Sequence, residues 1–339
     1  MEFQKAIQAV HRGELFPVYI LQGSETFLIN EFRQSLASAV EKAAGELDLT
    51  TIDVEESGWD PVLDEAEMYS FFVDQRLIIA DHIDFICSQP SQKLTDSQQT
   101  RLLEYLDNPN PASHLLLVIP HDQIDKRRKL TKALIQKGQF VDTTPLGEKE
   151  VYQYIQSYIQ GEELKISREA VQELLIRTGY QLSQTIAEIQ KLKQFAVDGN
   201  SITIEVVRTL VTRSLESDVF ELTNAVLAKD ASRAIQIYRD LILMKHEPIQ
   251  LHALIVSQFR LFIQVKLMQR QGLMQGDIAQ VLSVHPYRVK LAMQASRSMD
   301  LQELAILYDS LIEADFRMKI GIGQKETYFY LILTKILQL

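Results

Sequence analysis

The sequence predicts an α/β N-terminal domain built on a mostly parallel sheet, followed by two helical domains. Three observations lead there. Short apolar runs bounded by turn residues recur through the first 143 residues, with helical patterns between them, and strand-helix alternation is the pattern of a parallel sheet covered by helices. Strand signals then stop at about residue 147, and amphipathic helical segments run on to the C-terminus. Breaks in those segments suggest domains at 1–145, 146–213 and 214–339, in keeping with roughly 100–200 residues per domain.

The first strand is read at 17–22, and Gly23-Ser24-Glu25 turns into a helix carrying Phe27, Leu28, Phe32 and Leu36 on a recurrent face. A phosphate-binding loop would sit at this junction as G-x-x-x-x-G-K-[ST], because backbone N–H groups and a lysine must cradle the anion. The junction here is GSETFLIN, with one glycine, no lysine and an acidic Glu25. A working nucleotide site is therefore not expected, and neither is binding or hydrolysis of ATP. Further strands are expected at 49–54, 76–80, 114–119 and 139–143, and the turn-rich stretch 88–98 reads as a loop. Asp81 and Asp84 follow the third strand where such folds often place a magnesium-holding acid; without a phosphate loop they read as solvated carboxylates.

The stretch 67–81 passes from a helix into a buried strand, with Leu77, Ile78 and Ile79 as its apolar run. Just before it lie Met68, Tyr69, Phe71 and Phe72. Residues adjacent on a helix point about 100° apart, so Phe71 and Phe72 cannot both centre on one buried stripe. Two readings stay open from these residues: both rings fill the core, or they form a protruding apolar wedge for a partner protein.

Segments 148–160, 167–178, 181–197 and 203–213 read as helices broken by Gly161, Gly179 and Asp198-Gly199-Asn200. Near the end, GDIAQVLSVHPYRVKLAMQA has the outline of a helix-turn-helix with Arg288 and Lys290 on its second helix. That makes a DNA-binding regulator one alternative function, although burial of the unit in continuous helices favours packing. Lys126, Arg127, Arg128 and Lys129 are contiguous, but on a helix they would fan over more than one face, so a solvated helix start or a subunit contact is favoured over a DNA patch.

Composition narrows the function classes. The 46% hydrophobic and 24% charged residues are ordinary for a globular protein. The net charge of −10 argues against a protein that coats nucleic acid, yet residues 245–339 hold 11 basic against 8 acidic side chains, leaving −13 for the first 244. Any DNA contact is expected to be local and toward the C-terminal half. Lone Cys87 forms no internal disulfide, the seven histidines are scattered, and no metal cluster or nucleophile-base pair is written. No signal peptide and no apolar run of about 18 residues is found, so a cytoplasmic location without membrane association is expected.

The chain resembles the delta subunit of the bacterial DNA polymerase III clamp loader along nearly its whole length. The resemblance rests on LFPVYILQGSETFLI, SFFVDQRLIIA, LLLVIPHDQIDKRRKLTKAL, GYQLSQTIAEIQKL and QFRLFIQVKLMQRQGLMQGDIAQVLSVHPYRVK. It implies an AAA+-like first domain with a degenerate nucleotide site, a helical lid and an all-α collar. It further implies a hydrophobic wedge at Phe71 and Phe72, adjoined by Tyr69 and Met68, that binds the sliding clamp. Phe71 stands where other members can carry leucine. The implied partners are the clamp (beta subunit), the gamma/tau and delta prime loader subunits and primed DNA. No cofactor and no intrinsic catalytic site are implied: the chain would be a noncatalytic part of a DNA-directed DNA polymerase, a nucleotidyltransferase. An ATPase subunit of the same loader is the other alternative, against which the absent phosphate loop speaks. No arginine appears between Gly179 and Leu192, where ATPase relatives carry a sensor arginine.

Overall fold

The computed structural model describes residues 3–69, 73–91, 93–196 and 201–338. The chain divides into two compact units, 1–146 and 147–339. In the first, the elements run α1 (Phe3–His11), β1 (Val18–Gln22), α2 (Thr26–Ala44), β2 (Asp48–Asp53), α3 (Val54–Ser57), α4 (Asp60–Glu67), β3 (Arg76–Asp81), α5 (Asp96–Asp107), β4 (Ser113–Ile119), α6 (Lys129–Lys137) and β5 (Gln139–Asp142). The strands form one parallel sheet in the order β2-β3-β4-β1-β5.

The pattern of burial follows from that order. β1 and β4 are buried throughout, and β3 is buried except at Asp81, which is why they read as unbroken apolar runs; a sheet covered on both faces has no polar side to show. Val18 and Ile20 join Ile78, Leu115, Leu117 and residues of α4, α5 and α6 in one cluster. The intervening Tyr19 turns the other way and meets Phe32 of α2 at a ring separation of 5.5 Å. Phe32 also packs on Phe3 of α1, a helix with no counterpart among the sequence-based expectations. Edge strand β2 alternates, with Leu49 and Thr51 exposed.

Two helix boundaries differ from expectation. The helix before β3 ends at Glu67, with Met68 already extended. The basic run is mostly ahead of its helix: Arg128 is the N-cap of α6, Arg127 is exposed and pairs with Asp125, and Arg128 donates to the Phe85 carbonyl at 2.7 Å. Most of the loop read at 88–98 is irregular, but Thr95 and Gln98 make a reciprocal capping box that starts α5 at Asp96.

The second unit contains α7 (Glu148–Gly161), α8 (Arg168–Arg177), α9 (Leu182–Phe195), α10 (Ile204–Leu210), α11 (Leu215–Leu227), α12 (Ala231–Leu243), α13 (Pro248–Arg270), α14 (Gln275–Leu282), α15 (Pro286–Ala295), α16 (Leu301–Lys319) and α17 (Thr327–Gln338). α13 is the axis of the C-terminal bundle, with Leu251, Ile255, Phe259 and Phe262 buried among α11, α15 and α16 residues. It is long and apolar enough to cross a membrane, although polar residues interrupt the run, and half of its most apolar window is buried in this protein.

His252 of α13 is buried, and its Nε2–H donates to the Leu311 carbonyl at 2.8 Å. Burial pushes its pKa below the ordinary histidine value, more than the carbonyl contact raises it, and His114 on β4 is lowered for the same reason. The unfolded chain takes up these protons near pH ~6.5, before the folded protein does. Stability is thus complete above that pH and falls as the pH drops through the lowered folded values. Thermal melts between about pH 7.5 and pH 5.5 should show a falling midpoint, and His252→Gln should flatten part of the slope.

Candidate functional site

The β1–α2 junction is where a nucleotide fold of this topology would hold phosphate. Gly23 has φ +140°, and a Cβ there would lie 2.0 Å from the Thr143 backbone carbon, so glycine is required to bring the turn against the end of β5. The N–H groups that would face an anion are already taken. Gly23 N–H donates to Ile119 O at 3.0 Å and Glu25 N–H to Thr143 O at 2.9 Å. Ser24 donates its N–H and hydroxyl to the two carboxylate oxygens of Asp122, at 2.8 and 3.0 Å. A carboxylate from the β4–α6 loop therefore occupies the junction, and Glu25 adds a second negative group as the cap of α2. Asp81, at the end of β3, is gripped by both terminal nitrogens of Arg33 at 3.1 and 2.8 Å. Asp84 accepts the Ser91 N–H. The expectation of two solvated carboxylates is corrected: a strand end within reach of a helix arginine and a folded loop leaves neither carboxylate to water alone.

This geometry opposes phosphate on two counts, consumed donors and like charge. Calorimetric titration with Mg-ATP is expected to give no saturable heat, and micromolar binding would contradict the closed junction. Among the described residues, the Asp53, Glu55 and His82 ligand atoms lie within 4.8 Å of one another. Asp53 there is already engaged as the cap of α3 and with His82 Nδ1 at 2.8 Å.

The second candidate region lies between α4 and β3. Asn110, buried, donates its amide N–H to the carbonyls of Ala66, Glu67 and Met68 at 3.3 to 3.4 Å, while its Oδ1 accepts the Ala112 N–H at 3.0 Å. One side chain thus reaches two of the carbonyls that the end of α4 leaves over and that of its C-cap residue. Arg101 of α5 clamps the same helix end through Asp64 at 2.8 Å and Glu67 at 2.6 Å. On the far side, buried Arg76 at the start of β3 reaches Glu65 at 2.9 Å and Asp48 at 3.3 Å. Between these anchors Met68 is 52% and Tyr69 65% exposed. Phe71 and Phe72 lie outside the described residues. The anchors Asn110, Arg101 and Arg76 are not legible in the sequence; only the turn composition of Asn108-Pro109-Asn110-Pro111 hints at a structured loop.

The segment with a helix-turn-helix outline forms α14 and α15, joined through Ser283 in a left-handed conformation. Its second helix does not present free basic side chains. Lys290 is bound to Glu148 of α7 at 2.6 Å and Arg288 approaches Glu216 of α11 at 3.5 Å, while Val289 and Ala292 are buried in the bundle core. The helix packs internally, which removes the face that a DNA reader would insert in the major groove.

A parallel five-stranded sheet whose phosphate junction is closed by its own side chains, followed by a mainly helical C-terminal unit, defines the class of protein. The family model described as "DNA polymerase III, delta subunit" matches residues 19–144, and "DNA polymerase III delta subunit, C-terminal domain" matches 216–336. The chain is 33% identical to DNA polymerase III subunit delta of Bacillus subtilis over 332 residues, covering 98% of this chain and 96% of the relative. It is 22% identical to a probable DNA polymerase III subunit delta of Aquifex aeolicus over 262 residues, 75% of this chain and 72% of that protein. A solved structure of the Bacillus subtilis DNA clamp loader delta protein matches with a TM-score of 0.82 at 33% identity, covering 99% of this chain and all of that one. The chain belongs to the DNA polymerase III delta-subunit family.

Proposed function

We propose that this chain is the delta subunit of a DNA polymerase III clamp loader, which binds the sliding clamp and helps hold its ring open for loading onto primed DNA without hydrolysing ATP itself. The observation that supports this most directly is the exposed Met68-Tyr69 pair, pinned at a fixed helix end, in a chain that matches the family along its length. In this reading residues 1–145 bind the clamp through Met68, Tyr69, Phe71 and Phe72. Residues 146–213 form the lid, and 214–339 form a collar joining the gamma/tau and delta prime subunits in the cytoplasm. An apolar wedge is physically suited to ring opening. Burying each large side chain in a partner pocket is worth about 1.5–3 kcal/mol, and that energy favours the open ring when only the open state offers the contact.

Surface plasmon resonance of the purified chain over immobilised clamp tests the reading, with saturable binding expected; no binding would remove it. Asn110→Ala should also weaken the clamp complex. Loss of the cap frees the end of α4, costing about 1–2 kcal/mol of stability and blurring the presentation of Met68 and Tyr69. A variant with lowered melting temperature but undiminished clamp affinity would show that Asn110 serves the fold alone.

A further inference from the structure

The helix with the outline of a DNA reader has two working faces, both turned inward. Val289 and Ala292 fix α15 to the bundle core. Tyr287 and Lys290, one turn apart on another face, reach helices α7–α9. The Tyr287 ring lies 4.6 Å from that of Tyr180, which stands at φ +57° in the α8–α9 turn. Lys290 Nζ is 2.6 Å from Glu148 Oε2 at the start of α7 and sits 6.0 Å from the Tyr287 ring centre. The N-terminus of α15 is itself tied down, by Gln275 Nε2 donating to the Pro286 carbonyl at 3.0 Å.

The seam beside these contacts is not filled by apolar packing. A cavity of about 230 Å³ opens there, lined by Ile176, Gly179, Arg213, Gln258, Tyr287 and Arg288 among others. Gln258 Oε1 and Asn224 Oδ1, which also border it, are buried atoms with no hydrogen-bond partner among the described residues. A seam that leaves acceptors unpaired and a void unfilled gains little from being closed. Among the described residues, the Tyr180–Tyr287 ring contact and the Glu148–Lys290 ion pair made by α15 bridge it, and a seam so thinly packed belongs to the low-stability part of a fold.

We infer that α15 is a releasable clasp that sets the position of helices α7–α9 against the C-terminal bundle, with Tyr287 and Lys290 as its positioning residues. The inference does not depend on which partner the chain binds. It gives a subunit anchored through its bundle a defined route by which the orientation of α7–α9 is either held or let go.

Spin labels at exposed positions on either side of the seam, Ser157→Cys and Asp309→Cys in a Cys87→Ser background, report the distance in the full chain. The parent should give one narrow distance distribution. Tyr287→Leu with Lys290→Met should broaden it and shift its mean by at least about 5 Å, one helical pitch, with the helical circular dichroism retained. The charge reversals Glu148→Lys and Lys290→Glu should each broaden it singly, and together restore the narrow distribution. That rescue decides the matter even where Tyr287→Leu disturbs folding. An unchanged distribution in the folded double variant, or a double reversal no narrower than either single one, would overturn the clasp.

Discussion

Replacing Phe71 and Phe72 together by alanine is expected to weaken binding to the sliding clamp by at least about thirtyfold, or about 2 kcal/mol, while the protein stays folded. The magnitude follows from hot-spot behaviour: a few buried aromatic anchors carry most of an interface's free energy, and two adjacent rings offer a large apolar area. In the sequence one residue, Ser70, separates the pair from Met68 and Tyr69, both of which are exposed. The competing reading, in which both rings fill the core, predicts the reverse pattern, a loss of about 3–5 kcal/mol of stability for each ring with a steep fall in melting temperature. Surface plasmon resonance against the clamp and thermal melts of the same double variant separate the two. A well-folded variant with unchanged affinity would end the wedge proposal. Tyr69→Ala, in a position that is already exposed, should cost affinity without costing stability.

Gly23→Ala is expected to lower the stability of the N-terminal unit by about 3 kcal/mol or more, near the upper end of single substitutions. Two costs combine. A φ of +140° is a conformation that residues with a Cβ rarely adopt, worth of order 1–3 kcal/mol. The new methyl would also meet the Thr143 carbonyl carbon, its oxygen and the Thr144 nitrogen at 2.0 to 2.2 Å, and since all three are backbone atoms, relief requires the end of β5 to move away from β1. With roughly 2–4 °C per kcal/mol for a unit of this size, the melting midpoint should fall by about 10 °C. A melt within about 2 °C of the parent would show that the β1–β5 contact yields cheaply. Because the junction binds no phosphate in the proposed function, the glycine is retained for the turn, and the variant's clamp affinity should change only as far as its folded fraction does.

Much of this is legible in the amino-acid order because it is local. Apolar runs of four or five residues mark β1, β3 and β4, and helical spacing takes over near residue 147, where α7 begins at Glu148. The missing lysine and glycines of GSETFLIN likewise speak from one short segment. Strand-helix periodicity, turn chemistry and a phosphate loop are all written within a few turns of chain, so the order of residues suffices to establish them.

Partners distant along the chain come only from the folded arrangement. Asp122 enters the phosphate junction from 98 residues away, Arg33 holds Asp81 across 48, Asn110 ends α4 from 42 to 44 residues on, and Lys290 finds Glu148 across 142. No periodicity encodes such pairs, since each depends on which loop the sheet order β2-β3-β4-β1-β5, or the packing of the helices, carries beside which neighbour. The same reason explains α15. Its basic residues look free in the one-dimensional pattern, and only packing against α7 and α11 shows them spent on Glu148 and Glu216. A charge in a sequence has a sign, but its partner is chosen by the fold.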